Sequence, residues 1–224
     1  MHVKSHQALA EFIYDAMPQD AKDFMRLSDL ELHLFARQPD EVENDNIAVF
    51  GGCSDQEAYA HSYKLSWDRE TDTFEHLTGS APTVIAQTPR EARNAVREGD
   101  FDRARETLAT TMSHYAIDAT TIWHLSRELT SDQHRIGEED IAKKVRKLVR
   151  TPVEPLELPT PKSLYRSTIA ICEDTVRTQV DRVKADQSKD NHLHDDELIA
   201  EMVNRCASFG LSAFLYAWKY VGKA

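Results

Sequence analysis

Apolar side chains recur at the three- to four-residue spacing of an amphipathic helix along most of this chain. In the first such segment, Leu9, Phe12 and Ile13 fall on one face and Pro18 marks the end. The pattern predicts helices over residues 6–17, 19–37, 88–98, 101–128, 132–150, 161–187 and 195–221. Helical periodicity therefore dominates the chain.

The stretch over residues 38–86 is less regular, and Gly51, Gly52 and Pro82 mark loops within it. Inside this stretch, residues 63–74 are predicted to form either the end of a helix or a small hairpin. A second irregular segment, 151–161, is the one obvious linker, because its prolines favour an extended crossover between helices that pack together.

The glycine content is low, with seven residues in the chain, and no sustained alternation of polar and apolar residues is present. An all-α multi-helix bundle is therefore the economical architecture. A chain of 224 residues is long enough for one sizeable core, and no shift in composition divides it. We therefore expect residues 1–224 to form a single helical domain.

The formal net charge of -11 argues against docking on duplex nucleic acid or on an anionic membrane by charge alone. No apolar run reaches the roughly eighteen residues that a transmembrane segment needs. Cys53, Cys172 and Cys206 are scattered, so neither a disulfide framework nor a thiolate zinc site is indicated. The expected location is cytoplasmic, or secreted if a leader was removed before residue 1.

One short stretch concentrates side chains that can bind metals. His114 and Asp118 are four residues apart, as are His134 and Glu138, and His124 lies between the two pairs. Because positions four apart share one face of a helix, the members of each pair converge. The two His-x3-carboxylate pairs suggest more than one metal ion.

The run His-Tyr-x2-Asp-x5-His, followed by His-x3-Glu, resembles the zinc-dependent phospholipase C and single-strand nuclease superfamily. Members are helical bundles with three zinc ions in a cleft between helices. The family also places a histidine near the chain start, an aspartate after the second helix and a further histidine in the following loop. Here these positions correspond to His6, Asp40 and His61.

The resemblance implies a division of the ligands among three zinc ions. The first ion would take Asp40, His61, His114 and Asp118; the second His124, His134 and Glu138; the third His6, the Met1 backbone and the bridging Asp118. Asp40 would also accept a proton from water, so Asp40 and Asp118 are the candidate catalytic residues. Two positions depart from the family pattern: Ile122 replaces a frequent proline, and Met1 replaces the usual initial tryptophan.

Several of these residues have ordinary alternatives. His6 follows Ser5 at a helix start, Asp40 follows a proline and competes with Asp45, and His61 competes with His76, although the local sequence favours His61. A further His-Asp doublet, in residues 192–196, resembles helical metal-dependent phosphohydrolases. The carboxylates of this segment equally suit the N-terminus of the last helix, where the helix dipole favours negative charge.

The resemblance implies a zinc-dependent phosphodiesterase of the phospholipase C type that uses zinc-bound hydroxide. A phospholipid is favoured as the phosphodiester substrate over single-stranded nucleic acid. The alternatives are a single-strand nuclease of the same superfamily and a non-catalytic, zinc-stabilised helical protein. Tyr63, Trp67, Tyr115 and Trp123 could stack bases, line an apolar cleft for acyl chains, or simply pack.

Overall fold

The computed structural model describes residues 2–36 and 61–221 and is mostly helical. The prediction of an all-α multi-helix fold is confirmed, with one small hairpin added. The named helices are α1 (Val3–Asp15), α2 (Gln19–Met25), α3 (Ala81–Arg97), α4 (Phe101–Thr110), α5 (Ala116–Asp118), α6 (Ile122–Leu125), α7 (Ser131–Leu148), α8 (Leu164–Asp186) and α9 (Asp196–Val221). Residues 29–36 are also helical.

The helices that carry candidate ligands begin at clear local signals. The Thr130 hydroxyl accepts from the Gln133 amide at 3.2 Å, and the Gln133 side chain accepts from the Thr130 amide at 2.9 Å. This reciprocal pair satisfies backbone donors that the first turn of α7 would otherwise leave unpaired. The cap therefore fixes the start of α7 immediately before His134.

The hairpin joins β1 (Lys64–Asp68) to the antiparallel β2 (Thr73–Thr78). Trp67 stands opposite Phe74, and their rings are nearly parallel with centroids 5.9 Å apart. Arg69, in the turn, binds Glu128 and Asp181 at 3.0 and 2.6 Å and so ties the hairpin to the helical body. Of the two structures predicted for residues 63–74, the hairpin is confirmed.

Helix α9 runs through the core and packs against α1, α3 and α7. Among the described helices, it is the one that is long and apolar enough to cross a membrane by length and composition. However, 67% of its most apolar stretch is buried inside the fold. Burial of this kind is typical of a core helix. Helix α9 is therefore only weak evidence for a membrane span, which the sequence did not predict.

Three helix boundaries were predicted wrongly. The helix predicted over 19–37 is interrupted after Met25, where Arg26 adopts a left-handed conformation with φ of 47°. Helix α3 begins at Ala81 rather than Thr88, because Pro82 occupies a first-turn position that needs no amide donor. The helix predicted over 101–128 stops at Asp118 and resumes only as the short α6.

Candidate metal centre

The central ligand pair lies where an α-helix widens. Helix α4 continues into a π-helical turn, Thr111–Tyr115, and then into α5, so that His114 and Asp118 occupy one continuous helical segment. Single π-helical turns inside α-helices are frequently found at functional sites. Helix α9 approaches this turn at Gly210, where an added Cβ would lie 2.7 Å from the Met112 carbonyl oxygen.

Asp118 is the centre of the first ligand group. Its Oδ1 lies 3.2 Å from His6 Nε2 and 3.6 Å from His124 Nε2. Its Oδ2 lies 3.2 Å from His114 Nε2 and 3.3 Å from His61 Nδ1. One buried carboxylate thus meets four imidazoles, and each of its oxygens faces a different pair of rings.

These distances have the size expected of ligands that share an ion. Zinc binds imidazole nitrogen and carboxylate oxygen at about 2.0–2.2 Å, so two ligands of a tetrahedral ion lie about 3.3 Å apart. The contacts of Asp118 with His6, His61 and His114 fall at this separation. The 2.6 Å between His61 Nδ1 and His114 Nε2 is shorter and corresponds to a hydrogen bond.

Backbone carbonyls set the orientation of two of these rings. His6 Nδ1 donates to the Ser113 carbonyl at 2.9 Å, and His114 Nδ1 donates to the Ala36 carbonyl at 3.0 Å. The unprotonated Nε2 of His6 therefore faces Asp118, whereas the unprotonated Nε2 of His114 accepts from His61 Nδ1 and also lies beside Asp118. Metal-binding histidines commonly donate their second nitrogen in this way, which fixes the tautomer.

His6 gives the clearest sign that this group accommodates a cation. The residue is fully buried, and its Nε2 has no hydrogen-bond partner. A buried lone pair that faces a carboxylate oxygen without an intervening proton is unfavourable. A metal ion between the two atoms removes this conflict, so the donor set fits a cation.

A second group of ligands lies beside the first. His134 Nε2 donates to Glu138 Oε1 at 2.6 Å, and His124 Nε2 lies 3.3 Å from the same oxygen. Because His124 also approaches Asp118, it joins the two groups. The side chains of Glu138, His124 and His134 are 14, 16 and 34% exposed, whereas His6 and Asp118 are buried, so the second group lies nearer the solvent than the first.

Burial and mutual contact decide the charge of these groups. Burial lowers the pKa of His114, and it lowers the pKa of His124 to about 3, so both rings are neutral at pH 7. Burial raises the pKa of Asp118 and Glu138, but the positive charge and hydrogen bonds of surrounding groups, His124 among them, outweigh it and hold the pKa of both well below the usual range. Two ionised carboxylates beside the neutral rings of His114 and His124 form a donor set that suits a cation.

The structure brings seven of the nine predicted ligands together, while Met1 and Asp40 lie outside the described residues. His6, His114 and Asp118 offer atoms within 4.8 Å of one another, as do His124, His134 and Glu138. His61, and not its rival His76, contacts Asp118. His76 instead stacks on Tyr63 within the hairpin.

The doublet of residues 192–196 forms ordinary ion pairs. His192 contacts Asp140 at 2.9 Å, and His194 contacts Asp190 at 3.0 Å. Among the described residues, no group of three metal-binding side chains arises there. The Asp195 carboxylate accepts from the Glu197 and Leu198 amides, as expected for a cap of α9.

Contacts that the sequence did not reveal hold His124 in place. The Tyr63 amide donates to the His124 carbonyl at 3.2 Å. The partly buried Lys64 ammonium donates to the Trp123 carbonyl and, at 3.4 Å, to the Ser126 carbonyl. The start of β1 and the residue before it therefore hold the short segment that carries His124. These residues follow His61 closely in the sequence. No sequence pattern shows that a lysine at the start of a strand has this role.

The packing role of Gly137 was also not predicted, although this residue lies within the His-x3-Glu motif. An added Cβ would meet the Trp123 ring at 2.2 Å and the Gln187 side-chain nitrogen at 2.9 Å. The Trp123 ring lies nearly parallel to the His134 ring and is 1% exposed, so it packs and is closed to bases or acyl chains. Glycine is thus the residue that lets α7 approach the turn carrying His124.

Gly137→Ala is expected to lower the free energy of unfolding by about 1–3 kcal/mol, because Trp123 must move in a packed core. The same displacement shifts His124 and should weaken metal binding by the second group. Urea unfolding and metal titration measure the two effects. The control is Glu139→Ala, which removes a surface ion pair with Arg135 on the same helix. Unchanged metal affinity in Gly137→Ala would contradict the proposed coupling.

No protein-family model matches this chain, and no curated protein matches its sequence. The interpretation of the site therefore depends on the geometry of the described residues and on the resemblance of the motif.

Proposed function

We propose that this chain is a zinc-dependent phosphodiester hydrolase of the phospholipase C type. The observation that carries the proposal is the convergence of four imidazoles on the buried Asp118 carboxylate. The rings come from α1, the segment just before β1, the π-helical turn and α6, which are separate parts of the sequence. Ordinary packing does not require so many metal-binding atoms at one buried point.

The donor set supports zinc as the metal. Imidazole nitrogen and carboxylate oxygen are common zinc ligands, and hydrolytic zinc sites bind the ion through three protein residues and leave one position open. His124, His134 and Glu138 form such a three-residue group, and all three side chains are partly exposed. When bound, zinc ions lower the pKa of coordinated water and neutralise negative charge on phosphate oxygens.

The residues of the chain supply position and charge. Asp118 and the carbonyls of Ser113 and Ala36 hold the buried rings in a single orientation. The partly exposed His134 and Glu138 leave the second group open to a ligand from solvent. The predicted role of Asp40, to accept a proton from water, concerns a residue outside the described part of the chain and remains a prediction.

A phospholipid remains our preferred substrate over single-stranded nucleic acid. The net charge of -11 opposes the approach of a polyanion. Of the four aromatic residues considered as stacking platforms, Trp123 is buried, and Tyr63 is 8% exposed beneath His76. Tyr115 lies next to the site, with its ring centroid 5.3 Å from that of His61, and its partial exposure suits either substrate.

Metal analysis combined with a panel of phosphodiesters tests this function. Protein purified without chelators is expected to contain zinc and to hydrolyse phosphatidylcholine faster than single-stranded DNA, with a chromogenic diester as the reference. Faster cleavage of the DNA would favour the nuclease. Zinc without turnover of any diester would favour the non-catalytic protein, and protein that neither contains nor gains zinc would overturn the proposal.

A further inference from the structure

A shallow groove crosses the surface at the end of α9, apart from the metal ligands. It runs from Leu156 and Pro161, past Tyr216 and Lys219, to Arg90 and Arg93 on α3. Three adjoining cavities of about 240, 260 and 250 Å³ form it, and Tyr216 lines all three. We call this surface the Tyr216 groove.

The two ends of the Tyr216 groove differ in chemistry. The end at Leu156 also contains Pro155, Leu158 and Leu215 and is therefore mostly apolar. The opposite end contains two arginines one helical turn apart. A ligand that fills the whole groove therefore needs apolar and negatively charged parts in succession.

The cations of the groove have no partner in the described structure. Arg69, Arg146 and Arg177 bind carboxylates at 2.6–3.0 Å. By contrast, Arg90, Arg93 and Lys219 form no ion pair within residues 2–36 and 61–221, and Arg93 Nε has no hydrogen-bond partner. These three cations lie together on one surface of a chain whose net charge is -11. They offer charge complementarity to an acidic partner.

The walls of the groove are rigid. The Tyr216 hydroxyl donates to the Lys162 carbonyl at 3.3 Å and lies 3.3 Å from the Tyr220 hydroxyl. Prolines 155 and 161 restrict the backbone on the apolar side. A groove whose backbone is already restricted loses little conformational freedom when a ligand binds, which lowers the entropic cost of association.

The size of the cavities also favours a peptide. Each is smaller than the roughly 300–1,000 Å³ of a site that encloses a small ligand. Three in a row suit the alternate side chains of an extended segment, because successive side chains point to opposite faces. We propose that the Tyr216 groove binds an extended segment of a partner protein that carries apolar side chains followed by acidic ones.

Fluorescence anisotropy with synthetic peptides tests this proposal on the full chain. The probe is a labelled peptide of leucine-proline-leucine followed by four acidic residues, and the comparison peptides replace the acids by lysine or the leucines by serine. The acidic probe is expected to bind with micromolar affinity that falls as salt increases. Both comparison peptides are expected to bind at least tenfold more weakly.

The matched variants locate the binding. Arg90→Glu combined with Arg93→Glu is expected to weaken the acidic probe by about tenfold or more, because repulsion replaces attraction. Lys147→Glu combined with Lys189→Glu changes the net charge equally on exposed helix and turn positions outside the groove, and should leave binding nearly unchanged. Thermal denaturation confirms that all variants fold.

Three outcomes would overturn the proposal. The first is the absence of saturable binding of the acidic probe below about 1 mM. The second is equal weakening in both pairs of variants, which would indicate a general charge effect. The third is binding of phosphatidylserine vesicles through Arg90 and Arg93 without binding of the peptide. Since no metal ligand lines the groove, failure of this proposal would leave the proposed hydrolase untouched.

Discussion

Asp118→Asn is expected to remove at least one zinc ion per chain and to lower phosphodiester turnover by about a thousandfold. The two oxygens of Asp118 face separate pairs of imidazoles, so this carboxylate can bridge two metals. An amide of the same shape replaces one oxygen by an NH₂ group, which has no lone pair for a metal. Metal content and initial rates measure the two losses.

A matched control for this variant is Asp140→Asn. Asp140 is also buried and binds Lys143 and His192 at 2.9 Å, yet it lies outside both ligand groups. Its replacement should destabilise the fold and leave the zinc content unchanged. If Asp118→Asn retained the full metal content, the bridging assignment would be wrong. If both variants lost metal equally, the loss would reflect general unfolding.

Removal of the metal by a chelator is expected to lower the thermal midpoint by about 10 °C. Zinc at a thousand times its dissociation constant stabilises the native state by about 4 kcal/mol, and each kcal/mol corresponds to about 2–4 °C at this chain length. Without a cation, the buried His6 Nε2 faces a carboxylate with no hydrogen-bond partner. Calorimetry before and after chelation, and after zinc is restored, measures the effect.

The Asp118→Asn variant tests whether the fall in thermal midpoint comes from the loss of metal at this site. Because that variant has lost the shared ligand, chelation should change its midpoint much less than in the native chain. Calcium should not restore the native midpoint, because calcium prefers oxygen ligands and imidazoles dominate this site. A native midpoint that stays constant after complete metal removal would show that the first group tolerates the absence of a cation.

Long, periodic helices were predictable from the sequence to within a few residues. Helices α7, α8 and α9 depend on local caps and on apolar faces that a single sequence displays. The break at residues 119–121 was not predictable in this way. There the Thr120 and Thr121 hydroxyls bond back to the preceding turn, at the Ile117 carbonyl. Such competition with the backbone depends on side-chain rotamers that periodicity does not encode.

The features of the candidate site also divide into those that the sequence predicts and those that it does not. Pairs four residues apart, such as His134 and Glu138, converge because of helix geometry alone. The arrival of His6 and His61 at Asp118 was suggested by resemblance and not by spacing, because it depends on how α1 and the loop before β1 pack. The supporting roles of Lys64 and Gly137 depend on contacts between distant segments, and only the three-dimensional structure reveals them.

The order in which the two ligand groups can form follows from their separation along the chain. His134 and Glu138 lie one turn apart on α7 and can meet as soon as that helix forms. His6 reaches the π-turn across 107 residues, and His61 reaches Asp118 across 57. Closing loops of this length costs entropy that only tertiary packing repays. The deep ligand group should therefore be completed late in folding, and metal capture there would then mark a chain that has nearly reached its native state.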